Sequence, residues 1–320
     1  MPDMTTPETV ATSVAAWGLL PAVALVVAVA LALGLVFAAL DRVVVAGGDA
    51  NAMAGPSRTV VRWLVKQRRT TLAPDRLLWR VATGAVPVLA VLSMAVVPIA
   101  GRTLWSTSAD LVWFNAMEAL LWAAVWLVGW GPNAVHALVG GYRFLAQGLA
   151  YELPLMFALI TAGLAAGSLR TTDVVAAQAD LWFVVTMPVA FVVFLASAAA
   201  FAFWGPFAAP AGADIAGGVV SELSGVERLL VEAGRAIFLG ASAAMGATLF
   251  LGGGSGPWLP DALWHLLKTV LLMGLMVVAG RRVPVLRPDR YVEAAWVVLV
   301  PVTLLQALVV AVLVLSGMYA

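Results

Sequence analysis

The 320-residue sequence predicts an all-α, polytopic membrane protein with eight transmembrane helices. Three observations carry that prediction. Hydrophobic residues make up 63% of the chain and charged residues 11%, and mean hydropathy is +1.00; a soluble domain is roughly half apolar and about a quarter charged. Eight apolar runs are each long enough to span a bilayer core of about 30 Å. Fourteen of the eighteen cations fall on one side once those runs are taken as spans. The runs do not alternate apolar and polar residues as barrel strands do, and lipid offers the backbone no hydrogen-bond partners, so helices are expected.

The first run, Trp17–Leu40, carries no charge. Residues 1–16 hold Asp3 and Glu8 but no Lys or Arg, whereas a cleaved secretory leader needs a basic start. The run is therefore read as a retained helix. The next seven are Val81–Ala100, Leu111–Trp130, Tyr142–Leu169, Leu181–Trp204, Leu229–Leu251, Trp258–Ala279 and Ala294–Gly317. The thirteen tryptophans fall mostly near span ends, as interfacial anchors do. No fixed-period repeat marks an inverted-repeat transporter, and residues 1–320 read as a single membrane domain.

Placing the N-terminus outside makes 41–80, 131–143, 205–228 and 280–293 the inside loops. They hold the fourteen cations, Arg58 and Arg62 among them, while the outside segments hold Arg102 and Arg170. Arg235 and Lys268 lie within spans. This asymmetry follows the positive-inside rule and sets both termini outside the membrane. In 41–80, Val60, Val61, Trp63, Leu64 and Val65 interleave with Arg58, Arg62, Lys66 and Arg69, which reads as an amphipathic interfacial helix or as a plain basic flank. The long inside loops suit docking to a cytoplasmic partner.

Several chemistries are excluded. The chain has no cysteine, so disulfides, thiolate metal sites and covalently attached haem are absent from it. His136 and His265 are its only histidines. A net charge of +1 points to no nucleic-acid partner. Gly252-Gly253-Gly254 follows no strand, so a phosphate-cradling loop fails on context. Neither a metal site nor a hydrolase constellation can be argued.

Ionisable groups inside spans cost about 2.5–3.5 kcal/mol on insertion scales and are functional candidates by default. Glu118 falls midway in the third span and Glu152 in the first half of the fourth. Glu152 has no cation within a helical turn, which favours a proton-relay or water-chain role. Glu118 is open between such a role and pairing with a cation on another helix. Glu232 and Arg235 are three apart on one face, either a packing ion pair or a proton carrier with its partner. Asp261, His265 and Lys268 also share a face. His265 reads as a packing residue. Lys268 reads as a mobile cation in a proton path or the partner of a helix carboxylate.

A series of short motifs then gives a resemblance. Gly55-Pro56-Ser57-Arg58, Ala73-Pro74-Asp75-Arg76-Leu77-Leu78 with Pro87 and Pro98, Tyr151-Glu152-Leu153-Pro154-Leu155, Pro206-Phe207-Ala208-Ala209-Pro210, Ser221-Glu222-Leu223-Ser224-Gly225, Phe250-Leu251-Gly252-Gly253 with Gly256-Pro257, Trp264 to Lys268-Thr269, and Arg287-Pro288-Asp289-Arg290-Tyr291 with Trp296 and Pro301 run in this order over residues 17 to 315. Together they are similar to the NuoH family, a membrane subunit of the bacterial NADH:quinone oxidoreductase, respiratory complex I. That family includes the matching membrane subunits of formate hydrogenlyase and membrane-bound hydrogenases.

The resemblance implies a membrane subunit that joins a soluble iron–sulfur arm to antiporter-like membrane chains. Its inside loops would form part of a quinone chamber shared with partner subunits, and no cofactor would be covalently bound. It implies proton-path roles for Glu152 and Glu232 and a place near the chamber for Glu222; Glu118, Arg235 and Lys268 join the candidate proton path from their place in the spans, and Arg58, Arg62, Pro206 and Phe207 are candidates in the chamber or docking loops. The chain departs from the family where the family carries E-T-N-R before P-F-D-L-P-E-A-E. Here Phe201, Ala202, Phe203 and Trp204 precede Pro206, and Ala208, Ala211 and Ala213 stand at the later acids. The arginine-rich run before Gly55 is also missing; Asp49, Asn51 and Met53 lie there. The implied alternatives are a proton-coupled quinone reductase subunit and an anchor subunit of a related hydrogenase or formate hydrogenlyase that has lost coupling.

Overall fold

The computed structural model describes residues 18–99, 101 and 103–317. The expectations for the first sixteen residues, and for Trp17, Ala100 and Arg102, lie outside these. The described chain is all helical: α1 Leu19–Val45, α2 Gly55–Val65, α3 Arg76–Met94, α4 Asp110–Trp130, α5 Val135–Ala166, α6 Thr171–Ala176, α7 Phe183–Thr186, α8 Pro188–Phe201, α9 Gly225–Phe250, α10 Asp261–Arg282, α11 Pro288–Ala294 and α12 Val300–Leu315. A π turn, Ala295–Leu299, makes α11 and α12 one continuous rod. Among the described residues seven helices are long and apolar enough to cross a membrane: α1, α3, α4, α5, α9, α10 and the α11–α12 rod.

The fifth predicted span is the exception. Leu181–Trp204 is not one helix but α7 and the 14-residue α8, about 21 Å at 1.5 Å per residue. Pro188 opens α8 and has no N–H to donate, and its ring drives Met187 out of the helical region, to φ −135° and ψ 56°. Other spans begin earlier than hydropathy suggests. The Asp75 carboxylate accepts the Leu78 N–H at 3.0 Å and starts α3 at Arg76. The α5 helix starts at Val135, so Arg143, assigned to a loop, lies on a helix. In the first inside loop α2 covers Gly55–Val65, with Pro56 in its first turn.

The α9 helix is the central post. From Ile237 to Phe250 every residue is buried, and most are small. Small residues let helix backbones approach where lipid supplies no hydrophobic drive. A Cβ on Gly34 would stand 2.9 Å from Ile237, one on Gly240 2.8 Å from Leu33, and one on Gly234 2.6 Å from Val86. These contacts bring α1 and α3 against α9. The α4 helix packs on α3 and α5, and Gly148 of α5 takes the Trp122 ring, its Cβ position 2.6 Å from it. The rod of α11 and α12 leans on α5 and is the least buried span.

The four cation-bearing segments meet at one end of the bundle. The Ser224 hydroxyl accepts the Arg69 N–H at 2.7 Å, the Pro206 carbonyl accepts the Leu286 N–H at 2.7 Å, and Arg281 pairs with Asp41 at 2.5 Å. Arg68 pairs with Glu227 at the start of α9. The opposite end is pinned by side chains that bond backbone groups. Gln178 donates to the carbonyls of Val174 and Thr248 at 3.0 Å and accepts the N–H of Gly252 at 2.9 Å.

Candidate functional site

Two glutamates expected to act separately are brought together inside the bundle. Glu118 sits on the buried face of α4 and is fully shielded. Opposite it, α5 presents Tyr151 and Glu152, both near enough to interact electrostatically with its carboxyl. Trp122, one turn on from Glu118, donates its indole N–H to Glu118 Oε1 at 3.2 Å. Asn115, one turn before it, donates its amide to Glu152 Oε1 at 2.9 Å. The second oxygen of each carboxylate, the Tyr151 hydroxyl and the Asn115 carbonyl are buried without a hydrogen-bond partner. These four atoms form a polar centre that can hold and hand on a proton, because either carboxylate can take one up and the tyrosine hydroxyl or a water, which both donate and accept, can bridge them. Among the described residues no group of three or more His, Asp or Glu is placed to hold a metal.

Glu152 lies at the edge of this centre. Leu149 and Met156, one turn to either side on the same face of α5, are 59% and 37% exposed. On α4, Asn115 stands between exposed Val112 and Ala119. The Asn115–Glu152 hydrogen bond thus borders the outer groove between α4 and α5.

Glu232 and Arg235 occupy the cation-rich end. Glu232 accepts from Arg228 on one oxygen and from Arg235 on the other, each at 2.8 Å. Arg235 also donates to the carbonyls of Ala202 at 3.0 Å and Phe203 at 2.6 Å, with its guanidinium 4.1 Å above the Phe203 ring. Phe203 has φ 38°, a left-handed backbone uncommon outside glycine. That turn ends the α8 segment and its two carbonyls face the arginine. Arg228 donates to the Val220 carbonyl at 2.6 Å.

Lys268 is at the other end. Its ammonium donates to the carbonyls of Leu251, Gly253 and Ser255 at 2.6, 3.0 and 2.7 Å and lies 4.3 Å from the Trp182 ring. Its partners are carbonyls, not a helix carboxylate. His265 packs between the Thr248 hydroxyl and the Ala244 carbonyl at 3.2 and 3.1 Å.

The inner loop after α8 is a chain of short 3-10 turns laid on α5. Arg143 donates to the Ala209 carbonyl at 3.2 Å and to Asp214 at 2.7 Å, and this bond holds the Asp214 carboxyl below the usual carboxylate range. Phe207 is buried against Tyr291, ring centres 4.8 Å apart. Pro206 is half-buried and bonded to Leu286; Glu222 is half-buried and no ion pair holds it among the described residues. A cavity of about 290 Å³ at this end is lined by Ala73, Asp75, Trp130, Asn133, Ala134, Val135 and Leu138. Pro206, Phe207 and Glu222 are not among its walls. Arg58 and Arg62 are exposed on α2, with Val61 and Leu64 beside them.

Sequence reasoning thus finds the carboxylates but not their partners. Asn115 lies three residues before Glu118, a spacing that a helical wheel shows. The cross-helix roles of Tyr151, Arg68 and Glu227 carry no local signal.

Comparisons with known proteins agree with this architecture. A family model described as NADH dehydrogenase matches residues 20–311. The chain is 34% identical over 265 residues to the first H-type subunit of the NADH-quinone oxidoreductase of Geobacter metallireducens, covering 79% of this chain and 80% of that protein. It is 34% identical, with the same coverage, to the second H-type subunit of Geobacter sulfurreducens. The corresponding H-type subunit of Geobacillus kaustophilus is 32% identical over 259 residues, 79% of this chain and 78% of that protein. With the multi-pass helical bundle and this extent of match, the chain belongs to the NADH dehydrogenase family of membrane subunits, as a relative of the H-type subunits of NADH-quinone oxidoreductase.

Proposed function

We propose that this chain is the membrane subunit of a proton-translocating NADH:quinone oxidoreductase, lying in the cytoplasmic membrane with both termini outside. One observation carries the reading: four cation-bearing segments, distant in sequence, are tied together at one end of a lipid-length bundle. A surface of that kind is built to receive a water-soluble, electron-carrying arm, and exposed Arg58 and Arg62 are its first candidate contacts. The names of the relatives supply the quinone. Here Pro206, Phe207 and Glu222 would form one wall of a chamber completed by partner subunits, with Phe207 held in place under Tyr291. Glu118 and Glu152 are the proton-holding pair. Glu232 with Arg235 stands at the cation-rich end of any path through the chain, and Lys268 at the opposite end.

The test is purification of the tagged chain from native membranes. Co-purification with an iron–sulfur arm and antiporter-like membrane chains, with quinone reduction by the isolate, is expected. A lone, fully functional species would overturn the reading. Within the intact complex, Glu152→Gln should lower redox-driven proton transport at unchanged quinone reduction. The apolar residues at 201–204 favour one second reading, a membrane anchor in a related hydrogenase or formate hydrogenlyase. There a nickel-ligating partner would co-purify, and the same substitution would leave transport unaffected.

A further inference from the structure

Between the Glu232–Arg235 cluster and the Glu118–Glu152 pair stands a layer of aromatic rings. Arg235 covers Phe203, and Phe203 meets Phe144 at 5.4 Å. Phe201 meets Phe238 at 5.6 Å and Tyr151 at 6.1 Å, and Tyr151 adjoins Glu118. Phe144, Phe201, Phe203 and Phe238 are all shielded from solvent. Gln147 lies in the same layer, but its amide is bonded to the Ala200 carbonyl at 2.6 Å. On the inner side, both Glu232 oxygens and the Arg235 donors facing α8 are already paired. On the membrane side, the unpartnered oxygens are those of Tyr151, Asn115 and the carboxylate pair; the unpartnered indole nitrogens of Trp126 and Trp79 can donate but not accept, so they relay no proton. Protons move along chains of groups that can both donate and accept, and phenylalanine rings can do neither. The groove between α4 and α5 is different. There Glu152 and Asn115 reach the edge of the bundle, between exposed Val112 and Ala119 on one helix and exposed Leu149 and Met156 on the other.

We infer that the Phe144, Phe201, Phe203 and Phe238 layer seals the carboxylate pair from the cation-rich end of this chain, and that the pair exchanges its proton sideways, past Asn115, with whatever borders the α4–α5 groove. The proton enters as one transferred to Glu152 and leaves Glu152 for Glu118 through Tyr151 or a bridging water. No electron or covalent step is involved. The inference rests on the reading of Glu118 and Glu152 as the proton-holding pair, and makes Glu232–Arg235 a clamp on the end of α8 instead of a proton donor to that pair.

The experiment is infrared-detected hydrogen–deuterium exchange of the carboxylic band of the intact complex in lipid. The band is assigned as the one that Glu118→Gln or Glu152→Gln removes. Asn115→Leu should slow exchange at least tenfold, and adding Phe201→Ser to it should restore the rate by opening the sealed side. Phe144→Ser serves as an independent opening if the first does not assemble. An exchange rate unmoved by Asn115→Leu, or a failure of both openings to restore it in assembled complex, overturns the proposal. So does slowing by Tyr291→Phe, because Tyr291 lies within electrostatic range of Glu118 beside the inner loop and would then be a second route. Exchange and transport fail separately: Glu152→Gln without effect on redox-driven transport sinks the functional reading while the exchange pattern still tests the seal.

Discussion

Lys268 and Arg235, the two cations that hydropathy places inside spans, both end on backbone carbonyls. For Lys268 the three acceptors belong to the turn between α9 and α10. Replacing it by methionine keeps the apolar stem and strands three acceptors. The expected cost is about 2 kcal/mol or more, visible as a lower thermal midpoint of the assembled complex and faster proteolysis at Gly252–Ser255. Arg235→Met should cost more, about 3 kcal/mol, because it also leaves Glu232 with one partner fewer. The exposed Arg143–Asp214 pair has a pH signature. The folded-state pKa of Asp214 is lowered, so its stabilisation is present above the unfolded value of about 3.9 and is lost as pH falls through the folded value. Loop 205–224 should therefore hold its protection from amide exchange near neutral pH and lose it only in acid. Arg143→Gln should remove that dependence.

Helices obey the spacing of the sequence except where proline or glycine decides. Seven runs of apolar residues return as spans because each is long enough, and two carry the helix through an internal proline, Pro87 in α3 and Pro154 in α5. The run at Leu181–Trp204 passes the same hydropathy filter yet divides at Met187–Pro188, where Met187 leaves the helical region; averaging over a window hides that break. The α5 helix is longer than its apolar run for the opposite reason. Its first turns, through Arg143, are too polar to count as membrane yet continue the helix onto which the inner loop folds. Contacts between helices are not legible at all. Glu118 and Glu152 are 34 positions apart (152 − 118), and only the rotation of α4 against α5 sets them face to face. That rotation is fixed by small residues such as Gly148 under Trp122, which carry no pairing signal in one sequence. At this scale the testable claim concerns α9. Gly240→Val places a branched side chain against Leu33 and should destabilise the α1–α9 contact by about 1–3 kcal/mol, read as loss of assembled complex on heating. Gly274→Ala on α10, where nothing lies within 4 Å of an added Cβ, should be neutral.

The whole molecule is asymmetric along the membrane normal. One end gathers the arginines and the long loops; the other is closed by Asp110, Gln178 and Lys268 acting on backbone groups. Reporter fusions should follow that polarity. A reporter in 283–287 should read cytoplasmic, one in 167–170 external, and a C-terminal fusion external. A C-terminal fusion that reads cytoplasmic would reverse the sidedness. This polarity is visible in the sequence because it depends only on the count of charges between spans. The seal across the middle is half visible. The apolar residues at Phe201 and Phe203 stand out against the resemblance, but their closure against Phe144 and Phe238 needs three helices in register.

The divided α7–α8 segment bears on how the protein is made. It leaves the ribosome before α9, and about 21 Å of helix is too little to hold itself across a bilayer. The group that secures its trailing carbonyls, Arg235, emerges some thirty residues later. Until then the nascent segment has an unsatisfied end in lipid. The α7–α8 segment and α9 should therefore leave the translocon together as a hairpin, and a stop codon placed between Phe203 and Arg235 should yield a product whose fifth segment slips back into the cytosol.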